Sequence, residues 1–149
     1  MAHGEVDVDT FIDALGFNWL IGGTDAHAKN YSLLLGRGRV RLAPLYDVAS
    51  ILPYEELDLR KVKLAMKIGG EYKLGLVGAR QWQKFAREMR VDAESLIERL
   101  AAMAARLPDA ASAALTKARA EGLDTPIIDR LTERLIERAA VCGKSVAVS

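Results

Sequence analysis

Apolar positions recur at helical spacing along most of this 149-residue chain and at strand spacing only in its second quarter. Phe11, Ile12, Leu15, Trp19 and Leu20 fall near a 3.6-residue period, which predicts a first helix with one buried face. Asp9 precedes them as the expected N-cap, and Gly22-Gly23 is expected to stop the helix. Tyr31 to Leu35 and Arg39 to Ala43 flank Gly36-Arg37-Gly38, which predicts a β-hairpin with a tight glycine turn. Val40 and Leu42 alternate with Arg39 and Arg41, so one face of the second strand is expected to be wet. Pro44 ends that strand. Pro53-Tyr54-Glu55-Glu56 reads as a turn or loop, and Leu64 to Ile68 as a short strand ended by Gly69-Gly70.

Helical patterns fill the rest. Trp82, Phe85, Ala86 and Met89 form an i, i+3, i+4, i+7 stripe from Gln81 to Arg90. Asp92 is placed to cap a helix from Ala93 to Leu107, with Leu96, Leu100, Met103, Ala104 and Leu107 inward and Pro108 after its end. An alanine-rich helix is expected from Asp109 to Glu121, stopping at Gly122. Thr125 as N-cap and Pro126 at the first position open a last helix, with Ile128, Leu131, Leu135 and Ala139 inward and Gly143 as C-cap. Lys144 to Ser149 reads as a frayed tail. Arg130, Arg134 and Arg138 repeat at i, i+4, i+8 and read as a solvated face. The pattern as a whole predicts a mainly α fold of the α+β class, one domain over residues 1–149.

Composition changes this picture little. Half the residues are hydrophobic and 28% are charged, enough to bury a real core. Net charge is +1, from 21 Lys/Arg against 20 Asp/Glu, so the chain as a whole offers no field for nucleic acid. The single cysteine, Cys142, excludes an intrachain disulfide and a thiolate zinc site, and reads as a packed thiol. No run approaches the ~18 apolar residues of a membrane span. The first residues lack a basic segment followed by an apolar one, so the cytoplasm is the expected location.

The chemistry gathers in Ile21-Gly22-Gly23-Thr24-Asp25-Ala26-His27-Ala28-Lys29-Asn30-Tyr31-Ser32. Asp25 and Asn30 have the Asp-x-x-x-x-Asn spacing of kinase catalytic loops, where the carboxylate orients and deprotonates a hydroxyl and the Asn ligates magnesium. Lys29 offers a cation for a phosphoryl group. Asp47 lies seventeen residues past Asn30 with the predicted hairpin between them, so the two are expected to meet and share a metal. Singly, Asp25 reads as a loop cap, Asn30 as a turn former and Asp47 as the cap of the next turn; together they point to phosphoryl transfer. His27 reads as a structural hydrogen-bonding histidine, and a Ser32–His27–Asp25 triad lacks a nucleophile-elbow context. The series Gly69-Gly70, Gly75, Gly78 matches neither nucleotide-binding fingerprint and reads as turn glycines.

Phe17-Asn18-Trp19-Leu20-Ile21-Gly22-Gly23-Thr24-Asp25-Ala26-His27-Ala28-Lys29-Asn30-Tyr31-Ser32, then Arg41-Leu42-Ala43-Pro44-Leu45-Tyr46-Asp47-Val48-Ala49-Ser50, resembles the C-terminal region of the HipA-type toxin kinases. Leu64-Ala65-Met66-Lys67-Ile68-Gly69-Gly70-Glu71 is similar to a further block of that family. The resemblance implies the helical C-terminal lobe of a kinase-like fold, with a small β-hairpin carrying the site. It implies a serine/threonine protein kinase of a bacterial toxin–antitoxin system that uses ATP and Mg2+. Asp25 would be the catalytic base, Asn30 and Asp47 the metal ligands, and Lys29 and His27 supports of the loop and the phosphate. A helix-turn-helix antitoxin would be the partner, DNA would be reached only through it, and the substrate would be a protein, aminoacyl-tRNA synthetases being among the family's targets. Some relatives have Asn where this chain has Gly23, so any bond from that side chain is missing here. The family's N-terminal lobe, with its phosphate-gripping loop and adenine hinge, has no counterpart before Asp9. The alternative expectation is therefore a catalytically incomplete module that binds an antitoxin or the missing lobe, with an exposed apolar surface that supports a homodimer.

Overall fold

Two tryptophans mark the centre of the core. Trp19 and Trp82 meet edge to face with ring centroids 5.6 Å apart, and Phe85 packs on Trp82 in the same manner. Burying a large apolar side chain stabilises the fold by roughly 1.5–3 kcal/mol, so these rings tie together the helices that carry them. The computed structural model describes residues 3–54 and 57–147. Glu55 and Glu56 of the expected turn, and the last two residues of the expected tail, lie outside them.

The elements run α1 (His3–Ile21), β1 (Leu33–Gly36), β2 (Arg39–Leu42), β3 (Lys63–Ile68), β4 (Glu71–Lys73), α2 (Ala79–Met89), α3 (Ala93–Ala120) and α4 (Pro126–Ala147). Short 3-10 turns occupy Ala28–Asn30 and Leu74–Leu76. The fold is mainly helical, as expected, with two separate two-stranded antiparallel sheets, β1–β2 and β3–β4. α3 and α4 form the most extensive helix pair, and α1 and α2 pack against both. No described helix is long and apolar enough to cross a membrane.

Several local signals were outvoted by packing. α1 begins at His3, not after Asp9. Asp9 lies inside the helix, where it and Asp13 accept hydrogen bonds from Arg99 of α3. Burial works against the Arg99 charge, but these bonds hold its pKa above the ordinary value. Pro108 does not break α3, which runs through it to Ala120. Proline removes one backbone bond and normally costs ~3 kcal/mol. The buried stripe Leu96, Leu100, Ala104, Leu107, Ala111 continues across it, and burial against α4 offsets the loss. α4 likewise passes Gly143 because Cys142 and Val146 are buried on either side. The expected fraying from Lys144 is therefore not observed as far as Ala147.

Other signals held. Asp92 caps α3 by accepting from Ser95 N. Gly122, at φ +92°, ends α3 in a Schellman arrangement, with Gly122 N on Arg119 O and Leu123 N on Ala118 O. Pro126 opens α4, although the buried Thr125 hydroxyl makes no capping bond. In the β1–β2 turn, Arg37 and Gly38 both take positive φ, the geometry that matches strand twist. Cross-strand pairs place Leu33, Leu35, Val40 and Leu42 on one hairpin face and Leu34, Arg39 and Arg41 on the other. Both faces are wet: Leu35 is 78% exposed on the first and Leu34 56% on the second.

Candidate active site

The site is built on the C-terminus of α1. Gly22, at φ +67°, turns the chain out of the helix, and Gly23 N reaches back to Asn18 O at 2.7 Å. That leaves Trp19 O open, and Arg138 of α4 donates to it from Nε (3.1 Å) and Nη2 (2.6 Å). Ile21 O accepts from Ser50 Oγ, and Gly22 O from Ile51 N at 3.1 Å. Orphan helix carbonyls are thus satisfied by tertiary partners. The same bonds tie the segment after Asp47 to the helix before Asp25.

Arg138 corrects the expectation of a solvated basic face. It is buried, its guanidinium sits 5.9 Å from the Trp19 ring centroid, and burial pushes its pKa down. Arg130 also turns to the protein, donating to Pro53 O at 3.2 Å. Arg134 is the exposed member of the three, 3.6 Å from Glu137.

The loop itself is a series of tight turns. His27 N donates to Asp25 O at 2.8 Å and Asn30 N to His27 O at 2.9 Å. Asn30 is buried, and its Nδ2 lies 3.3 Å from both Asp25 O and Asp47 Oδ2. The hairpin therefore brings Asn30 and Asp47 together across seventeen residues. Asp47 sits at φ +55°, a strained conformation for a non-glycine residue. His27 Nε2 is 3.1 Å from Asp25 Oδ1, and the Asp25 side chain is 85% exposed. One face of this carboxylate is held by the imidazole while the rest faces solvent. Lys29 is exposed, and its backbone carbonyl accepts from the Tyr46 hydroxyl at 3.1 Å. Ser32 Oγ bonds the same Tyr46 hydroxyl at 3.0 Å. Tyr46 thus clamps the loop to the irregular segment after the hairpin, and Ser32 is not presented to His27.

Asn18, Tyr46, Ser50 and Arg138 escaped sequence reasoning as parts of the site. Asn18 is buried, donates to Ala14 O at 3.0 Å, and leaves its Oδ1 without a partner. A Cβ at Gly23 would lie 2.2 Å from that oxygen. Gly23 is small because Asn18 fills its side-chain space, so the loop has no gap at this position. Tyr31 lies 3.5 Å from Asn18 Nδ2, and burial raises its phenol pKa.

The Asn30–Asp47 pair fits a hard cation. A carboxamide and a carboxylate offer oxygen ligands a few ångströms apart, and magnesium keeps its remaining positions for water and phosphate. Ligation requires Asn30 to present Oδ1, which a carboxamide flip supplies. Among the described residues no group of three His, Cys, Asp or Glu side chains is gathered.

Over 145 residues, 97% of the chain, this protein is 30% identical to the Sinorhizobium fredii protein Y4mE, which carries a kinase name, and it covers 34% of that protein. It is 34% identical over 94 residues to the serine/threonine-protein kinase toxin HipA of Shewanella oneidensis, covering 63% of this chain and 21% of the relative. Structurally it superposes, at TM-score 0.77 and 25% identity, on a chain of the Shewanella oneidensis HipA, HipB and operator DNA complex, over 91% of this chain and 32% of that one. The chain therefore spans about a third, or less, of the relatives it matches. Residues 1–111 match the model of the HipA-like C-terminal domain, and the chain belongs to that family.

Proposed function

We propose that this domain is the catalytic lobe of a serine/threonine protein kinase that moves the γ-phosphoryl group of ATP to a protein hydroxyl. The observation that carries the reading is the 3.3 Å approach of Asn30 to Asp47 beside the Asp25–His27 pair. Asp25, exposed and held at one oxygen, is placed to orient an incoming hydroxyl and accept its proton. Asn30 and Asp47 would hold Mg2+, which when bound neutralises phosphate charge. Lys29 would add a mobile cation at the phosphate, and His27 would fix the Asp25 rotamer. Tyr46 and Arg138 keep the loop in place from outside.

The elements that grip ATP are proposed to lie in a separate N-terminal lobe. A helix-turn-helix antitoxin is the proposed partner, with DNA reached through it; the relative solved with HipB and operator DNA supports this. The substrate would be a cytoplasmic protein such as an aminoacyl-tRNA synthetase. Asp47→Ala in the kinase comprising both lobes is expected to raise the Mg2+ concentration needed for half-maximal activity at least tenfold. An unchanged Mg2+ dependence would remove Asp47 from the metal.

The exposed apolar hairpin face favours a second reading for these 149 residues alone: an inactive module that docks the other lobe, an antitoxin or a second copy. Calorimetry is then expected to show no micromolar ATP binding by this chain, and sedimentation tests its self-association.

A further inference from the structure

Beside the Asn30–Asp47 pair lies a cavity of about 10 Å³, bordered by Asn18, Asn30, Tyr31 and Asp47 and walled by Leu45 and Val48. That is the space of one water, which needs roughly 10–15 Å³ and two to four polar partners. The polar groups around it are short of partners. Asn18 is 5% exposed, and its Oδ1 makes no hydrogen bond. The orientation of its carboxamide is set, because Nδ2 donates to Ala14 O at 3.0 Å and a turned carboxamide would face oxygen to oxygen. The Tyr31 hydroxyl accepts from Asn18 Nδ2 at 3.5 Å, and its own hydrogen meets no acceptor among the described residues. Phe11 holds the Tyr31 ring edge to face at 4.8 Å, which fixes where that hydroxyl stands. Asn30 is buried and gives Nδ2 to Asp25 O and Asp47 Oδ2, while its Oδ1 accepts from no described residue. Buried polar groups without protein partners are costly, and native proteins satisfy them with ordered water.

We propose that this cavity holds one ordered water, and that Asn18 and Tyr31 position the Asn30 carboxamide through it. The water donates to Asn18 Oδ1, accepts from the Tyr31 hydroxyl and completes its set at Asn30. Water both donates and accepts, so it pairs with either end of a carboxamide. Asn30 can therefore turn its Oδ1 toward a cation without losing a partner on the cavity side. A methyl group in place of the water would leave one end of the carboxamide unpaired in either orientation. The consequence for the cation rests on the reading of Asn30 and Asp47 as Mg2+ ligands, and the water itself does not. Neither Asn18 nor Tyr31 is a ligand in that reading. Groups that orient a metal's ligands change its affinity by about 10–100-fold when removed.

Crystals of the 149-residue chain, at a resolution that shows ordered solvent, test the water by itself. One water is expected within about 3.2 Å of Asn18 Oδ1 and of the Tyr31 hydroxyl or Asn30. Asn18→Leu, which keeps the length and branching of the side chain, should expel it while the melting temperature holds. In the proposed two-lobed kinase, Asn18→Leu should raise the Mg2+ concentration for half-maximal transfer about tenfold. Tyr31→Phe keeps the ring on Phe11, removes one bond to the water and should raise it about threefold. Because both side chains act through one water, Asn18→Leu with Tyr31→Phe should be no worse than Asn18→Leu alone. A dry cavity in wild-type crystals, or a water that persists in Asn18→Leu, would overturn the proposal. An unchanged Mg2+ dependence in folded Asn18→Leu, or multiplicative losses in the double variant, would overturn the positioning role. Failure of the metal reading itself shows separately, as an unchanged Mg2+ dependence in Asp47→Ala, and the crystals decide the water in either case.

Discussion

Replacing Arg138 with Met tests how the site is held. The substitution keeps the volume of the buried stem but removes both bonds to Trp19 O, of 3.1 and 2.6 Å. Gly23 N is committed to Asn18 O, so no backbone donor replaces them. An orphaned buried carbonyl costs ~1–3 kcal/mol, and loss of the guanidinium from the Trp19 ring adds up to ~1 kcal/mol. Relief of the guanidinium's own burial, the cause of its lowered pKa, returns part of this. The expected net loss is ~1.5–3 kcal/mol, or roughly 3–12 °C in Tm for a chain of this size. Urea denaturation measures it, and Arg134→Met, one turn away and exposed, should cost under ~0.5 kcal/mol. Hydrogen exchange should also quicken at Gly23 to Asn30, since Trp19 lies in the turn that launches the loop. A loss below ~0.5 kcal/mol, or equal losses for Arg138 and Arg134, would refute the anchoring role.

Gly23→Ala should cost ~1–3 kcal/mol by driving a methyl into Asn18 Oδ1, and Asn18→Ala should relieve it; strictly additive losses in the double variant would contradict this contact. Gly69→Ala should be at least as damaging, because its Cβ would lie 2.1 Å from Gln81 O at φ +55°; a melting curve like wild type would refute it. Burial pushes the Cys142 thiol up to about 11 from 9.0. The unfolded chain then ionises first, so stability should fall between about pH 9 and 11, by on the order of 2–3 kcal/mol. Cys142→Ser should remove the part of that slope that begins near pH 9, leaving the contribution of the raised Tyr31 phenol above its ordinary 10.0, and an unchanged slope would assign it elsewhere.

The candidate loop was legible because its residues are local. Asp25 and Asn30 are five residues apart, and a glycine-turned hairpin is a short-range signal that returns the chain to Asp47. The helix ends at Gly22 and Gly122 were legible for the same reason, since a positive φ there favours glycine. What failed were local signals overruled by distant packing. Pro108 and Gly143 read as helix breaks, but the stripe from Leu96 to Ala111 and the burial of Val146 keep both helices whole. Asp9 reads as a cap until Arg99, ninety residues away, is beside it. Arg138 shares its period with the exposed Arg134, and periodicity alone does not tell which of them faces Trp19 O.

The central claim is that Asp25 is the base of a phosphoryl-transfer site. The direct measurement is phosphate transfer from radiolabelled ATP by the proposed two-lobed kinase, with Asp25→Asn against wild type. A positioned general base contributes 10²–10⁴-fold, so the variant should lose at least a hundredfold in rate while its melting temperature and Mg2+–ATP affinity stay unchanged. A variant that keeps more than a tenth of the wild-type rate would contradict the account.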